Sequence, residues 1–403
     1  MPHTEGDASR DRGDGVSGLT ARGVPEDQVR ARARDGAACA FPPVEQYGRE
    51  LFGASAGVHT DELDTMRLVP PVFVPRHLVG RGDVDLTTVV GGFRSTAPVF
   101  LSALGSTRVA GLDLGLAAVR QAGALGIPVV IGAGTSTLEL IRAYTATCPD
   151  GWGGVVVRQR AETADAGVWD LVRGDPAVRS LLDDGRLAFE LEVGPGHSGT
   201  TALGADRAAR IADAFDPLFG DRALRSGGSG TRAEEVLRER IRLLRNTFPF
   251  VRTWVKLTPA RDVGSVVRVA WRAGADAVTV DGGTGWTPSG FPDHGGLPLA
   301  ECLRRIREPE GCLLVTGRMW EGGRVAKSVA LGARAVGLGR AALLAVDEDP
   351  EEGLVRLVEC LALELRLLIG SVGKCAPWAL DADDVWSRPS PEQILLPEQV
   401  VRS

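Results

Sequence analysis

Two features about one helix apart carry the most chemistry in this sequence. A lysine, Lys256, closes the apolar run VRTWVKL, and an acidic glycine-rich turn, Asp281-Gly282-Gly283-Thr284-Gly285, closes the next run. A cation fixed at the end of a buried strand stabilises negative charge developing on a bound group. Consecutive glycines let backbone N–H groups approach an anion or a flat ligand without a side chain in the way. For proton transfer the candidates are Glu192, His197, Asp281 and His294, all at or just beyond the ends of apolar runs. Blander uses compete for each. A rim lysine also snorkels to solvent, a lone loop histidine is more often solvated than catalytic, and Asp before glycines commonly caps its own loop. Arg158 suits either a substrate carboxylate or a cofactor, and Trp286 and Trp320 are placed to wall a pocket. Two further glycine loops, TGRMWEGGR and GLGRAAL, offer Gly317, Arg318, Gly322, Gly323 and Arg324 in the first and Gly337, Gly339 and Arg340 in the second. Either alone is weak, because glycine also serves ordinary turns.

Positioning these residues on one rim requires parallel strands that all end on the same side. Eight short apolar runs alternate with helical patterns: Ala97–Ala103, Ile127–Gly132, Gly153–Gln159, Leu187–Val193, Val251–Leu257, Asp276–Asp281, Cys312–Gly317 and Arg334–Gly339. Glycine repeatedly ends a helical pattern just before the next run, and Asp262 is placed to N-cap the helix between Lys256 and Asp281. This grammar predicts an α/β (β/α)8 TIM barrel with N- and C-terminal extensions. A doubly wound sheet is the rival, but the GxGxxG turn expected after its first strand is missing. In such a barrel the chemistry lies at the C-terminal ends of the strands, with phosphate near the loops after strands seven and eight, where both glycine loops fall.

The expected organisation is a disordered tail over 1–40, a segment over 41–96 capping the closed end, the barrel over 97–385 and a C-terminal tail over 386–403. The stretch from Pro217 to Arg232, with RSGGSGTR, reads as a surface excursion or a lid. LVRLVECLALELRLLIGSVG reads as a long final helix, and the tail beyond Trp386 as a wrap over the barrel or a neighbouring subunit, so a homo-oligomer stays open. The formal net charge of −6 and the lack of basic runs interleaved with aromatics argue against nucleic acid. No apolar run approaches the roughly 20 residues that span a bilayer, and the polar N-terminus lacks a signal-peptide core, so no membrane partner and a cytoplasmic location are expected. The six cysteines form no CxxC pair, so neither a metal site nor a disulfide framework is expected.

The order VKL, AGADAVTVDGGTGWTPSG, GLPL, a glycine loop and LGARAVGLGRAAL resembles the FMN-binding barrel of glutamate synthase. VVVRQRAE and FELEVGPGHSG resemble earlier strands of that family, so the resemblance covers roughly Ala97 to Gly373. It implies FMN as cofactor, with Lys256 near the flavin N1 and C2 oxygen and Gln159 near the ring edge. Ser102 and Ala103 would lie beside the isoalloxazine, next to Gly282 and Gly283, and the phosphate would sit at Gly317, Arg318, Gly322, Gly323, Gly337, Gly339 and Arg340. Reduction places negative charge at N1 and C2=O, which a strand-end lysine offsets.

The departures point to a changed substrate. Glu192 stands where the family has a lysine, and His197 and Ser198 replace another lysine in the following loop. The iron–sulfur cysteines are missing, with Cys375 alone in the matching region, and the expectation is a stand-alone barrel without glutaminase or reductase domains. The expected activity is that of an FMN-dependent oxidoreductase acting on the C–N bond of a small amine or amino-acid-like substrate, with oxygen or a separate partner as electron donor or acceptor. The alternatives are a flavin-dependent isomerase resembling type 2 isopentenyl diphosphate isomerase, and a flavin-free lyase or binding barrel for a phosphorylated metabolite.

Overall fold

The computed structural model describes residues 18–21, 23–40, 61–71, 79–104, 108–109, 112–132, 136–160, 174–193, 231–282 and 296–387. The N-terminal part holds helices α1 (Glu26–Asp35) and α2 (Glu62–Thr65), strand β1 (Arg67–Leu68) and a hairpin of β2 (Thr88–Val90) and β3 (Phe93–Ser95). The strands that follow are β4 (Val99–Leu104), a small ribbon of β5 (Arg108–Val109) and β6 (Leu112–Asp113), β7 (Val129–Gly132), β8 (Val155–Arg160) and β9 (Leu187–Val193). Next come β10 (Arg252–Leu257), β11 (Ala277–Asp281), β12 (Cys312–Thr316) and β13 (Ala335–Leu338), and β14 (Val385–Trp386) ends the series. Between them run α3 (Leu114–Ala124), α4 (Thr137–Thr145), α5 (Pro176–Asp183), α6 (Thr231–Thr247), α7 (Val263–Arg272) and α8 (Leu299–Ile306). The last helices are α9 (Gly322–Ala330), α10 (Arg340–Glu348) and α11 (Gly353–Ser371).

Strands β4, β7, β8, β9, β10, β11, β12 and β13 close into one parallel barrel. All eight apolar runs of the sequence are barrel strands. Strand alternation sorts their side chains. Val129, Val155, Leu187, Val255, Val278 and Val315 turn outward into the layer shared with the helices. Phe100, Val130, Val156, Ala188, Trp254, Ala277, Leu314 and Ala335 turn inward and meet Val90 and Phe93 of the hairpin. The hairpin thus plugs the N-terminal mouth. Its turn places Gly91 and Gly92 at φ 55° and 96°, where side chains are strained, and a methyl on Gly91 would lie 2.2 Å from the Trp254 ring. The Gly91 carbonyl accepts from Trp254 Nε1 at 3.0 Å, satisfying the one polar atom of a fully buried indole.

The expected disordered tail over 1–40 needs correction: residues 26–35 are helical. Val29 and Ala33 of α1 are buried, and the helix is clamped by charge. Arg30 meets Asp347 at 2.6 Å and Glu348 at 3.1 Å, Arg34 meets Glu348 at 2.7 Å, and Arg32 meets Glu364 at 2.7 Å while its guanidinium lies over Trp320. The other extension returns to the N-terminal side, where β14 pairs antiparallel with β1. The stretch from Pro217 to 230 lies outside the described residues. Asp262 does stand at the N-cap of α7, but its side chain makes no capping bond; the backbone carbonyl there accepts from Ser265 and Val266 instead.

Candidate active site

With the bottom of the barrel filled by apolar side chains, the same alternation carried toward the strand ends turns polar side chains inward. Strand β10 follows Trp254 with Lys256, β8 follows Val156 with Arg158, and β9 follows Ala188 with Glu190 and Glu192. Strand β11 follows Ala277 with Thr279 and Asp281, and β12 follows Leu314 with Thr316. Parallel register sets Arg158 beside Glu190, Lys256 between Glu192 and Thr279, and Asp281 beside Thr316. The floor is apolar and the mouth is charged.

Two buried networks result. Lys256, 7% exposed, meets Asp281 at 2.5 Å, and the other oxygen of Asp281 accepts from Thr316 Oγ1 at 2.8 Å. Arg158 Nε donates to Glu190 at 2.7 Å; Glu190 is 1% exposed and its second oxygen lies 3.4 Å from Thr279 Oγ1. Burial works against the charge on Arg158, but Glu190 and Glu192 outweigh it and hold the guanidinium above the ordinary arginine range. Glu192 itself stands 3.8 Å from Arg158, beyond hydrogen-bond length. Glu192, Val193, Lys256, Leu257, Thr258, Pro259 and Asp281 line a pocket at this mouth.

The two glycine loops differ. After β13, Gly339 starts α10 without a side-chain cap, so the first-turn N–H groups of a nine-residue helix face the rim. A methyl on Gly339 would meet Ser102 Cβ, on β4, at 3.9 Å and nothing nearer among the described residues. Arg340 is exposed at its edge. Gly337 serves packing instead, since a methyl there would lie 2.6 Å from Thr316 and 2.8 Å from Phe100. After β12, Gly317 and Arg318 turn with φ 120° and 54°, but the start of α9 is held by protein groups. Gly322 packs on α11 and its N–H donates to Glu364 at 2.5 Å, while Gly323 stays open. Arg324, read from the sequence as available for charge, is 1% exposed and bound to Asp61 at 2.5 Å and to Asp64. Arg318 leans the same way, 3.8 Å from Asp61. These arginines sit beside α2, whose acidic cap they neutralise.

The structure therefore brings Lys256, Asp281, Glu192 and Arg158 together and sets Ser102, Gly339 and Arg340 on the adjoining rim. Gly282 lies just past β11 and backs onto α8, where a methyl would be 2.6 Å from Leu299. Ala103 and Gln159 occupy β4 and β8, and their strand positions are all that is described. His197, Gly283, Trp286 and His294 lie outside the described residues. The sequence reading missed Glu190, Thr279 and Thr316. The signal was there: each lies an even number of positions from a core or site residue on its own strand, hence on the same face.

A parallel (β/α)8 barrel with an apolar plug at one mouth and ion-paired side chains at the other is the class that fold and site define. Comparison with known proteins then narrows it. The model of the conserved region in glutamate synthase matches residues 230–348, and that of FMN-dependent dehydrogenase matches residues 57–167. An archaeal-type glutamate synthase [NADPH] of Dehalococcoides mccartyi is 37% identical over 103 residues, 23% of this chain and 21% of that protein. An isopentenyl-diphosphate delta-isomerase of Oceanobacillus iheyensis is 33% identical over 128 residues, 27% of this chain and 36% of that protein. The matched stretch thus spans only about a fifth of the glutamate synthase. Among solved structures, a soluble mutant of the membrane-associated (S)-mandelate dehydrogenase of Pseudomonas putida superposes with a TM-score of 0.54 at 19% identity, covering 90% of this chain and 99% of that one, a likeness of fold. Among the described residues no helix is long and apolar enough to cross a membrane, and no group of three or more His, Cys, Asp or Glu could hold a metal ion.

Proposed function

We propose that this barrel binds FMN and uses it to transfer electrons to or from the C–N bond of a small amine or amino-acid-like substrate. The observation that carries the proposal is Lys256, a buried cation held by Asp281 at the charged mouth, one rim away from the uncapped helix N-terminus at Gly339. The residues fit the cofactor. Gly339, Arg340 and the first turn of α10 would take its phosphate, Ser102 would lie beside the ring, and Lys256 would face the N1 and C2 oxygen edge. The matches to FMN-dependent dehydrogenase and to glutamate synthase support the same reading. Because Gly322 and Arg324 are already engaged, the phosphate contacts are assigned to the loop after β13.

When bound, FMN supplies a two-electron acceptor or donor. Oxidising an amine to an imine removes two electrons and two protons; the electron pair with one proton would pass to the bound cofactor, and the other proton would leave to a base. Asp281 and Glu192 are the described carboxylates lining the pocket for that task. Oxygen or a separate electron carrier would restore the flavin. The isomerase similarity favours a second reading, with a diphosphate substrate and no net redox change. Mixing the FMN-loaded protein with a panel of primary amines and amino acids without oxygen separates them. Bleaching of the visible flavin bands by one of the panel is expected. Failure of every member to bleach them, together with turnover of isopentenyl diphosphate, would replace the first reading by the second.

A further inference from the structure

We infer that Glu192 selects a substrate that binds as a cation, with its ammonium group at this carboxylate. The inference rests on the reading above for the place of reaction, and it goes further in naming the charge of the ligand and the residue that reads it. Three charged side chains line the pocket among the described residues, Glu192, Lys256 and Asp281. Lys256 is paired with Asp281 at 2.5 Å. Arg158, the other cation among the described side chains of this face, is turned to Glu190, whose carboxylate takes Nε at 2.7 Å and is itself buried to 1% exposure. What reaches Glu192 is the far end of that guanidinium, at 3.8 Å, and among the described side chains none hydrogen-bonds the Glu192 carboxylate. The side chain is 19% exposed, so its charge is partly desolvated yet open to the pocket.

Among the described side chains the two close pairs leave one carboxylate in excess at the mouth. An anionic ligand entering here meets the Glu192 carboxylate, whereas an ammonium group would complete the hydrogen bonding that this carboxylate lacks among the described side chains. Like-charge juxtaposition in a partly desolvated pocket is the repulsive half of selectivity, and the new ammonium contact is the attractive half. The geometry therefore disfavours substrates whose reacting end carries a carboxylate or a diphosphate against β9 and β10.

Benzylamine and benzoate, of similar size and opposite charge, are the probes. Their binding to the FMN-loaded protein is measured by calorimetry at neutral pH, at low and high salt, for the wild type, Glu192→Gln and Glu192→Asp. Benzylamine should bind at least about tenfold more tightly than benzoate, the size of one partly exposed charge contact. That preference should shrink at high salt, disappear in E192Q and persist in E192D. Benzoate binding as tightly as benzylamine, or a preference unchanged in E192Q, would overturn the inference. If E192Q does not fold, the wild-type preference and its salt dependence decide: a preference indifferent to salt overturns the inference equally. If the protein takes up no FMN, the proposed function fails on its own, and the same calorimetry on the flavin-free chain still decides the charge preference.

Discussion

At the scale of single residues, Lys256 is a buried charge and Arg158 a largely buried one, each held by a close carboxylate. Lys256 cannot drift into solvent while Asp281, itself fixed by the Thr316 hydroxyl, holds it. Replacing it by methionine keeps the volume and removes the cation, so reduction of a bound flavin should slow about 10²- to 10³-fold, the usual size of one electrostatic stabiliser. Anaerobic stopped-flow reduction measures this; an unchanged rate would remove Lys256 from the chemistry. Glu190 acts on stability instead. Glu190→Ala leaves Arg158 buried without its close partner and should cost roughly 3–5 kcal/mol in denaturant unfolding. A loss within the range of an ordinary surface change would mean that Arg158 finds another anion. Lys256, Asp281, Glu192 and Arg158 were legible because each lies at or next to the end of an apolar run. Glu190 was not, because a charged residue in the middle of LAFELEV reads as a break in a hydrophobic strand until the inward face of β9 is known.

At the scale of elements, the barrel strands were readable because they are buried on both faces and appear as unbroken apolar runs. Helix α1 was not, because it buries few apolar side chains and is held mainly by arginines whose partners lie more than 300 positions away. That anchoring makes its docking sensitive to acid. Burial raises the Glu348 carboxyl, but hydrogen bonds from Arg34 and Arg30 outweigh it and hold the group below its ordinary value of 4.5. A carboxylate depressed in the folded state adds stability above its unfolded pKa, and this stability is lost as the pH falls through the folded value. Amide exchange in α1, corrected for intrinsic rates, should therefore accelerate relative to the barrel strands as the pH drops below 4.5, and Arg30→Ala should show part of that effect already at pH 7. Equal protection of α1 at both pH values would contradict the anchoring. The hairpin β2–β3 depends on packing: Trp254→Ala removes the ring that Phe93, Phe100 and Gly91 enclose and should cost roughly 3–5 kcal/mol in thermal or denaturant melts.

Over the whole molecule, the barrel is closed by apolar side chains at one mouth and charged at the other, so a ligand has one end at which to bind. The N- and C-terminal extensions meet in the β1–β14 ribbon, and α1 and α2 bind α9, α10 and α11 through ion pairs. The sheet order followed from counting runs. Which glycine loop stays open did not, because the carboxylate that takes the Gly322 N–H comes from α11, far along the chain. The central claim is that this mouth holds FMN. The most direct measurement is the visible absorption spectrum of the purified protein, before and after incubation with FMN, with the bound cofactor released by heat and identified by chromatography. The account predicts flavin bands and released FMN. A protein that stays colourless after incubation would contradict it.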